Sequence, residues 1–584
     1  MATASPSFAD QPLSSDSSYG LLDRITVEWA LYAGVLGAAL FLRLFRLDIA
    51  PLSEAEAAQA LASLRGSAVP AGGSASLYSL NTILFSIFSA SDLLARLVPA
   101  LIGSLVTLTP ILFRDALGRL GALGASIVLA ISPIALVGSR TLSGEIVVVG
   151  CVLVGLGLLR RYDAEGDRRH LIGAAIAGGV GLASGSAMYT ALVAFGAAAA
   201  ILKLALDQRS GAADRSAWRA AFAPAYRARV VGAGIVAFIL AATGGLVRQA
   251  GLGAAGDALS TWLTAYGPVS GSPAFGMVQI LFVYEGLAVI LGAVGLSRAL
   301  TRSDRFGALL GFAIILSLAI ILLQPGRQPI DLLLPTTLLG LLTGYALQPW
   351  AEAVLARARL SVDGVILAVG AAVLGFAALQ LTAFVRGRFV AVQLGGVAVQ
   401  PDVALVGLFV VMLVVVGSLL VMMFDMRSTL RAAATLGLII LTLGELGTGW
   451  RATQERVGDP RESVWGFTVT PVAVRDLVVE AENTAIRSTG NIFTLPIRVE
   501  VDDPVVGWYL RHARLLDSQA AAGVVTTTGL QPSDADYVGS SFTTRLTWDP
   551  IGLDFDAWLE WMLFRTTPVE APQATQSITL WVKR

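Results

Sequence analysis

Two glutamates stand two residues apart, directly after the first long apolar segment of the chain. Glu54 and Glu56 follow Ser53, close to the end of that segment. A carboxylate beside a spanning helix is costly to keep at a membrane surface unless it is used. Two such groups suit a general base that deprotonates a hydroxyl, or a pair of ligands for a divalent cation. The same spacing also fits the start of a helix that Ser53 caps, with acids in its first turn.

Three arginines are candidates for binding a phosphate on the same side of the membrane. Arg140 and Arg248 each follow an apolar segment, and Arg327 lies in a loop between Pro325 and Pro329. A guanidinium presented by a stiff loop matches the geometry of a phosphate or a pyrophosphate. Arg248, at the outer end of the seventh apolar segment, is a weaker candidate.

Neighbouring acids leave a structural alternative open for two of these arginines. Glu145 begins the apolar segment after Arg140, and Asp331 follows Arg327 by four residues. Each arginine would then pair with its acid, and Arg140 would alternatively meet a lipid headgroup. Glu145 and Asp331, together with Tyr78 between the first two spans, are therefore further candidates for the site.

Glu285 falls near the middle of another apolar segment. An ionisable group inside a membrane is expensive and marks a functional site by default. A shift of the segment bounds by a few residues would instead move this acid to the membrane surface. Glu285 is therefore a candidate residue without an assigned role.

The composition identifies an integral membrane protein. Of the 584 residues, 55% are hydrophobic and 14% are charged, with 41 basic and 41 acidic side chains. A soluble protein carries about 25% charged residues. The zero net charge gives no indication of nucleic-acid binding. Cys151 is the single cysteine, which excludes an intramolecular disulfide, and the two histidines lie far apart, so neither residue type predicts a metal centre.

Thirteen apolar segments have the length of about 20 residues that a spanning helix needs. They lie near residues 26–45, 95–113, 120–138, 143–160, 171–187, 189–206, 229–248, 276–297, 306–323, 329–347, 362–384, 402–424 and 429–448. The predicted fold class is therefore mostly α, a polytopic membrane protein of about 13 transmembrane helices.

Loop charges predict the orientation of this bundle. Basic residues concentrate in alternate loops, from residues 114–119 to residues 427–431, and the intervening loops carry few. Loops rich in Lys and Arg stay on the cytoplasmic side. We therefore expect a multi-pass protein of the plasma or inner membrane, with a cytoplasmic N-terminus and an extracytoplasmic C-terminus. Residues 1–25 read as a disordered cytoplasmic tail.

Two stretches outside the spans carry structure of their own. The first outer loop, residues 46–94, predicts a short helix at 54–65 and a second, apolar helix at 77–88 that is too short to cross the membrane and lies at its interface. Residues 26–450 make up the transmembrane domain, and residues 451–584 a small extracytoplasmic α/β domain. The strands of that domain are expected at 497–501, 542–548 and 577–582, and its helices at 474–486 and 556–564.

The order of these motifs resembles the membrane glycosyltransferases of the GT-C superfamily, in the protein O-mannosyltransferase and aminoarabinose transferase branch (glycosyltransferase families 39 and 83). Residues 43–57 are similar to the signature R-L-x-x-L-x-x-x-P-L-x-x-D-E-A, and residues 75–79 stand where the family has H-P-P-L-Y-Y. Residues 96–103 match R-L-P-x-A-L-x-G, and residues 132–140 match S-P-x-x-x-x-x-S-R. Arg327 resembles the family's basic residue before a late proline-containing span. The resemblance covers roughly residues 30–345.

Three polar positions of the family pattern are altered in this chain. The family's Asp falls on Ala55, which leaves Glu56 on the Glu position and Glu54 as a substitute for the Asp. The His-Pro-Pro is absent, and a frequent Lys falls near Met188.

The resemblance implies an inverting transferase that moves a sugar from a polyprenyl-phosphate-linked donor to an extracytoplasmic acceptor, which is a protein, a lipid or a glycan. Glu54 and Glu56 would be the catalytic residues, or the ligands of a divalent cation, Mg²⁺ or Mn²⁺, if a metal takes part. Arg140, Arg327 and Arg248 would bind the donor phosphate. The expected partners are that lipid-linked sugar, the acceptor and membrane lipids, without nucleic acid.

The altered positions also favour a second hypothesis from another class. A protein of this fold without the catalytic groups would be a catalytically silent scaffold, or an accessory subunit of a larger membrane complex. A transporter is disfavoured, since the sequence contains no inverted repeat.

Overall fold

The computed structural model describes most of the chain. The described residues are 27–207, 224–268, 271–357, 360–385, 393–394, 397–398, 401–492, 496–515, 523–530, 537–549, 553–564 and 572–583. The predicted cytoplasmic tail, residues 1–25, lies outside them.

Helices dominate the described chain up to Trp450, because only a helix satisfies its own backbone hydrogen bonds inside a bilayer. In chain order they are α1 (Val27–Leu44), α2 (Glu54–Arg65), α3 (Ala75–Ile87), α4 (Asp92–Val106), α5 (Arg114–Leu117), α6 (Arg119–Ile131), α7 (Pro133–Ser139), α8 (Glu145–Glu165), α9 (Arg168–Leu182), α10 (Ala187–Asp207), α11 (Pro224–Thr243), α12 (Ala250–Thr264), α13 (Ala274–Tyr284), α14 (Gly286–Thr301), α15 (Arg305–Leu323), α16 (Leu333–Arg357), α17 (Leu360–Val385), α18 (Pro401–Met423) and α19 (Met426–Trp450). Two 3₁₀ helices, Thr109–Phe113 and Pro329–Leu332, lead into α5 and α16.

Every predicted span coincides with one of these helices or with two helices joined at a bend. In the described chain, eight helices are long and apolar enough to cross a membrane, and counting each bent pair as one span makes up to ten. The three remaining predicted spans fall on α8, α9 and α18. Among these, α8 ends in charged residues, and α9 is only 15 residues long. The prediction of a mostly α, polytopic membrane protein is confirmed.

Two spans bend sharply at a break in their backbone hydrogen bonding. α6 and α7 meet at 61°, and α13 and α14 at 88°. Pro133 begins α7 and has no amide hydrogen to continue α6, so the helix restarts under a cap from Ser132 to the Ala135 amide. Glu285 occupies the second break, with backbone angles outside the helical region.

The first loop forms the two helices that the sequence predicts. A capping box starts α2: the Glu56 carboxylate accepts from the Ser53 amide at 2.9 Å, and the Ser53 hydroxyl accepts from the Glu56 amide at 3.4 Å. Gly66 ends α2 with φ 67°, a left-handed conformation that favours glycine. The helix at 54–65 is confirmed, and α3 begins two residues before its predicted start.

The C-terminal domain is built on one mixed sheet. Its elements are β3 (Thr468–Val469), α20 (Val474–Thr489), β4 (Pro496–Val499), α21 (Pro504–Tyr509), β5 (Arg514–Leu515), β6 (Gly523–Thr527), β7 (Tyr537–Thr547), α22 (Phe555–Phe564) and β8 (Gln573–Lys583), whereas β1 (Gln393–Leu394) and β2 (Val397–Ala398) form a hairpin before α18. The strand order is β3-β7-β8-β6-β4-β5, and only β4 pairs in parallel, with β5 and β6. The predicted strands and helices of this α/β domain are confirmed.

Asp92, the first residue of α4, fastens this domain to the bundle. Its carboxylate accepts hydrogen bonds from the Trp508 indole at 2.7 Å and the Tyr509 hydroxyl at 3.0 Å. The Arg475 guanidinium pairs with the same carboxylate at 3.1 Å. We call the side of the bundle that carries these contacts the domain end.

Candidate functional site

A polar cavity of about 300 Å³ opens at the domain end of the bundle. Its walls are α2, the loop 70–73, the first turns of α8 and α10, the end of α12, and the segment 324–334. A second cavity of about 320 Å³ shares the loop 70–73 and opens against α12. The two cavities together lie where the first loop meets the bundle.

Glu145 and Asp331 supply the two carboxylates of the first cavity. Glu145 begins α8, and Asp331 lies in the 3₁₀ helix before α16, where its carboxylate accepts from the Gln328 amide at 2.7 Å. Both side chains are half-buried. Two acids from distant parts of the sequence therefore meet in one cavity.

Glu56 lies behind the cavity wall and is fully engaged. Its two oxygens bind the Arg96 guanidinium at 2.7 and 2.8 Å, and they also accept from the amides of Ser53 and Leu142. Burial acts to raise the pKa of this carboxyl, but Arg96 and the two amides together hold the pKa below its ordinary value. Arg96 also donates to two carbonyls of the loop before α2, so the ion pair ties α2 and α4 to that loop.

Glu54 turns away from Glu56. It is half-exposed and pairs with Arg545 on β7 at 2.7 Å. Ala55, between the two acids, is the residue of this turn that lines the cavity. The structure therefore does not bring Glu54 and Glu56 together. At Ala55, the position where the family has its Asp, only a methyl group faces the cavity.

The other altered positions are packed by small or apolar side chains. Where the family has His-Pro-Pro, the hydroxyls of Ser74, Ser76 and Ser184 form a chain with distances of 3.2 and 2.9 Å. Met188 is buried, and so is Tyr78, whose hydroxyl donates to the Ser67 carbonyl at 3.1 Å. These residues support the cavity wall.

Arg140 is buried and serves the end of α1. Its guanidinium donates to four backbone carbonyls at 2.7–3.1 Å, those of Leu42, Arg43, Phe45 and Arg46. This cation closes the C-terminus of a helix that has no further amides to do so. The sequence-level pairing with Glu145 is replaced by these carbonyl contacts.

Arg327 and Arg248 differ in whether the guanidinium already forms hydrogen bonds to backbone carbonyls. Arg327 donates to the carbonyls of Leu322 at 3.1 Å and Gln324 at 2.5 Å, at the end of α15. Arg248 is exposed, and its guanidinium lies beside Gly66, where the loop toward the cavity begins. Among the three arginines predicted to bind phosphate, Arg248 has the most accessible charge.

Glu285 forms a buried acid pair with Glu445 of α19, which the sequence analysis missed. Glu285 accepts from the Ser132 hydroxyl at 2.6 Å and the Ile134 amide at 2.8 Å, and Glu445 accepts from the Leu287 amide at 2.9 Å. The two carboxyls are neighbours, and each keeps one buried oxygen that no donor of the described chain contacts. These acids therefore hold both bent spans in place, at a distance from the polar cavity.

An apolar groove of about 600 Å³ runs between α9, α11 and α12. Its lining consists of glycine, alanine, aliphatic and aromatic residues, among them Tyr189. The next residue, Thr190, lines the polar cavity instead and accepts from the Trp262 indole at 2.9 Å. The groove and the cavity therefore adjoin across the contact between α10 and α12.

The residues predicted to hold a divalent cation do not fit one. Both oxygens of Glu56 are occupied by Arg96 and backbone amides, and Glu54 binds Arg545. In the part of the chain that the structure describes, no three His, Cys, Asp or Glu side chains are grouped to hold a metal.

Gln59 and Gln324 are wall residues that the sequence analysis did not single out. Both are buried, at 3% and 5% exposure, and both line the polar cavity. A lone glutamine in a helix or loop carries no sequence signal, so only the fold could reveal them.

Comparison with known proteins gives a likeness of structure without a likeness of sequence. No protein-family model matches the sequence, and no curated protein matches it. Among solved structures, ArnT from Cupriavidus metallidurans bound to undecaprenyl phosphate superposes with a TM-score of 0.51 at 14% identity, over 94% of this chain and 97% of that one. The same protein in its apo state gives 0.49 at 15% identity, over 84% and 86%.

The oligosaccharyltransferase of Archaeoglobus fulgidus in its apo form gives a TM-score of 0.46 at 13% identity, over 85% of this chain and 64% of that one. At a TM-score of 0.51 and 14% identity, the superposition on ArnT with undecaprenyl phosphate shows a shared fold and nothing further. The chain therefore has the fold of that ArnT structure.

Proposed function

We propose that the protein transfers a sugar from a polyprenyl-phosphate-linked donor to an acceptor at the outer face of the membrane, with the polar cavity as the reaction site. The observation that carries this proposal is the pair Glu145 and Asp331, which places two carboxylates in one cavity at the domain end of a GT-C fold. The ArnT structure with the same fold holds undecaprenyl phosphate, which supports a lipid phosphate as the donor here.

The apolar groove and Arg248 support the way in which such a donor would bind. A polyprenyl chain would lie in the apolar groove between α9, α11 and α12. The sugar would then reach the cavity past the contact between Tyr189 and Trp262. Arg248 is the accessible cation for the phosphate, since Arg140 and Arg327 already bind backbone carbonyls.

The chemistry assigned to the cavity is a single displacement. A carboxylate, Glu145 or Asp331, accepts the proton of the acceptor hydroxyl while its oxygen attacks the anomeric carbon of the sugar. The bond from that carbon to the phosphate oxygen breaks, and the lipid phosphate leaves with the bonding electrons. Attack opposite the leaving group inverts the anomeric centre. In this scheme Glu56 positions α2 through Arg96, and Glu54 lies outside the reaction.

The test compares acid variants in membrane vesicles from a host that lacks the natural gene, supplied with a labelled polyprenyl-phosphoryl sugar. Glu145→Gln or Asp331→Asn should lower transfer by about a hundredfold or more, as for the loss of a general base. Asp257→Asn is the matched control, because this exposed acid lies in the adjoining cavity. If Glu54→Gln abolishes transfer while Glu145→Gln and Asp331→Asn remain fully active, the assignment of the general base to the cavity acids is wrong and Glu54 is the base.

The scaffold hypothesis keeps one supporting observation, which is that Ala55 faces the cavity where the family has its Asp. A wild-type protein that releases no lipid phosphate from any donor, and that purifies with tightly bound membrane partners, would establish the scaffold instead.

A further inference from the structure

We propose that the polar cavity selects a sugar without an acidic group, and that the side-chain amides of Gln59 and Gln324 donate hydrogen bonds to the hydroxyl oxygens of that sugar. The inference rests on the proposed function, because it names the kind of sugar that the same cavity would hold.

The two glutamines leave amide nitrogens without partners in the cavity wall. The Nε2 atoms of Gln59 and Gln324 are both buried, and no acceptor within the described chain hydrogen-bonds them. The Gln59 side chain cannot simply turn over, since its Oε1 accepts from the Ser74 amide at 3.0 Å. A buried donor without an acceptor is unfavourable, because it has lost its hydrogen bonds to water without replacing them. An occupant that offers oxygen atoms to both nitrogens would remove that cost.

The cavity offers acceptors as well as donors. Glu145 and Asp331 are its acids, and Thr190 and Thr261 add hydroxyls. A ring with several hydroxyl groups, each a donor and an acceptor, can satisfy amides and carboxylates at once. A simple phosphate or a carboxylate presents acceptors alone and would leave the acids facing further negative charge.

Trp262 supplies a flat apolar wall. Its indole is fixed by the hydrogen bond to Thr190 and by ring contacts with Tyr189 and Tyr266, at centroid distances of 6.2 and 5.4 Å. A rigid aromatic side chain gives a large contact area at low entropic cost and suits the C–H face of a sugar ring.

The charges of the lining decide between classes of sugar. Its two ionisable groups are both acids, and among the described residues that line it there is no Lys, Arg or His. A uronate or another acidic sugar would meet like charge in a partly desolvated space without a cation to compensate. A neutral sugar meets no such opposition.

Equilibrium binding to the purified full-length protein in nanodiscs separates these claims, with three probes: farnesyl phosphate, farnesyl phosphoryl glucose and farnesyl phosphoryl glucuronate. We expect farnesyl phosphoryl glucose to bind about tenfold more tightly than farnesyl phosphate, because its glucose forms hydrogen bonds to both amides. Farnesyl phosphoryl glucuronate should bind no more tightly than farnesyl phosphate. In the double variant Glu145→Gln/Asp331→Asn, the affinity for the glucuronate probe should rise, because the opposing charges are gone.

The glutamine variants test the reading of hydroxyls. Gln59→Met and Gln324→Met each remove one amide donor without adding a charge to the cavity. Each should reduce the gain from glucose severalfold and leave farnesyl phosphate binding intact, which also shows that the variant folds. Gln249→Leu, an exposed glutamine at the start of α12, is the matched control and should keep the full gain.

The outcomes distinguish the two proposals. If farnesyl phosphate itself does not bind the wild-type protein, the proposed function fails. If it binds, but glucose and glucuronate behave alike or both glutamine variants keep the full gain, the inference on sugar class is overturned while the proposed function stands.

Discussion

At the scale of single residues, the ionisable side chains around the first loop divide into those with filled contacts and those that face a cavity. Glu56 and Arg96 form a buried bidentate pair whose remaining contacts are also filled. Glu145 and Asp331 face a cavity instead. Spacing in the sequence could not tell these cases apart, because a capping acid and a catalytic acid both favour the start of a helix.

Removing one partner of the buried pair should destabilise the protein strongly. Glu56→Gln leaves Arg96 buried without its counter-charge, and breaking such a pair costs about 3–5 kcal/mol. Glu54→Gln is the control, since its half-exposed pair with Arg545 contributes about 0–1 kcal/mol. Thermal unfolding in detergent measures both. Equal unfolding temperatures for the two variants would contradict the structural role of Glu56.

The same pair predicts an acid-sensitive step in stability. Because the folded-state pKa of Glu56 lies below its unfolded value, the contribution is present above the unfolded pKa, whose ordinary value is 4.5, and is lost as pH falls through the folded pKa. The wild-type unfolding temperature should therefore drop more steeply below that pH than that of Glu56→Gln. Parallel curves would show that this carboxyl does not govern the acid response.

Ala55 allows a test by gain of function. Ala55→Asp adds a carboxylate to the cavity at the position where the family has its Asp. If the cavity carries out sugar transfer, adding Ala55→Asp to the slow double variant Glu145→Gln/Asp331→Asn should raise its rate in the vesicle assay by about tenfold or more, because a positioned general base contributes about a hundredfold or more. Ala58→Asp, on the face of α2 that lines a separate cavity, is the control and should give no rise.

At the scale of elements, the sequence predicted the long apolar helices and the helix that Ser53 caps, since long apolar runs and a cap are local signals. It predicted three of the eight described strands, β4, β7 and β8, and it missed the helices α12 and α21. It did not predict the breaks. Ser132-Pro133 is visible as a helix stop, but the bend at Glu285 depends on Glu445, more than a hundred residues later. The cavity was likewise out of reach, because Glu145, Asp331 and the two glutamines come together only by tertiary packing.

The acid pair at the bends predicts opposite outcomes for two changes at one residue. Glu445→Gln keeps an oxygen for the Leu287 amide and adds an NH₂ group that can donate to Glu285, so the unfolding temperature should stay level or rise. Glu445→Ala leaves the Leu287 amide without its acceptor and opens a cavity. The free energy of unfolding should therefore fall by about 2–4 kcal/mol. Thermal unfolding measures both variants, and a Glu445→Gln variant as unstable as Glu445→Ala would contradict the expected contacts of residue 445 with the Leu287 amide and Glu285.

At the scale of the whole molecule, the C-terminal domain and the bundle behave as one unit around the first loop. Asp92 binds Trp508, Tyr509 and Arg475, and the Tyr509 hydroxyl in turn accepts from the Leu52 amide at 3.0 Å. The domain therefore completes the same loop whose other face walls the cavity.

Loss of Asp92 should loosen the domain without unfolding the bundle. Asp92→Ala leaves the buried Trp508 indole without its acceptor, and we expect faster cleavage after residue 450 in limited proteolysis. Asp476→Ala, an acid in the first turn of α20, is the control. Unchanged cleavage in Asp92→Ala would mean that apolar packing alone seats the domain.

The buried arginines also impose an order of assembly. Carbonyls at the end of α1 bind Arg140, those just before α2 bind Arg96, and Arg43 reaches the carbonyls of Leu129 and Ala130. The link between α1 and α2 thus finds its partners only after α4, α6 and α7 have been synthesised, and Tyr509 reaches it last. During membrane insertion this early segment therefore lacks its hydrogen-bond partners until the later helices are made. A chain that ends before the C-terminal domain would still lack the hydrogen bond from the Leu52 amide to Tyr509.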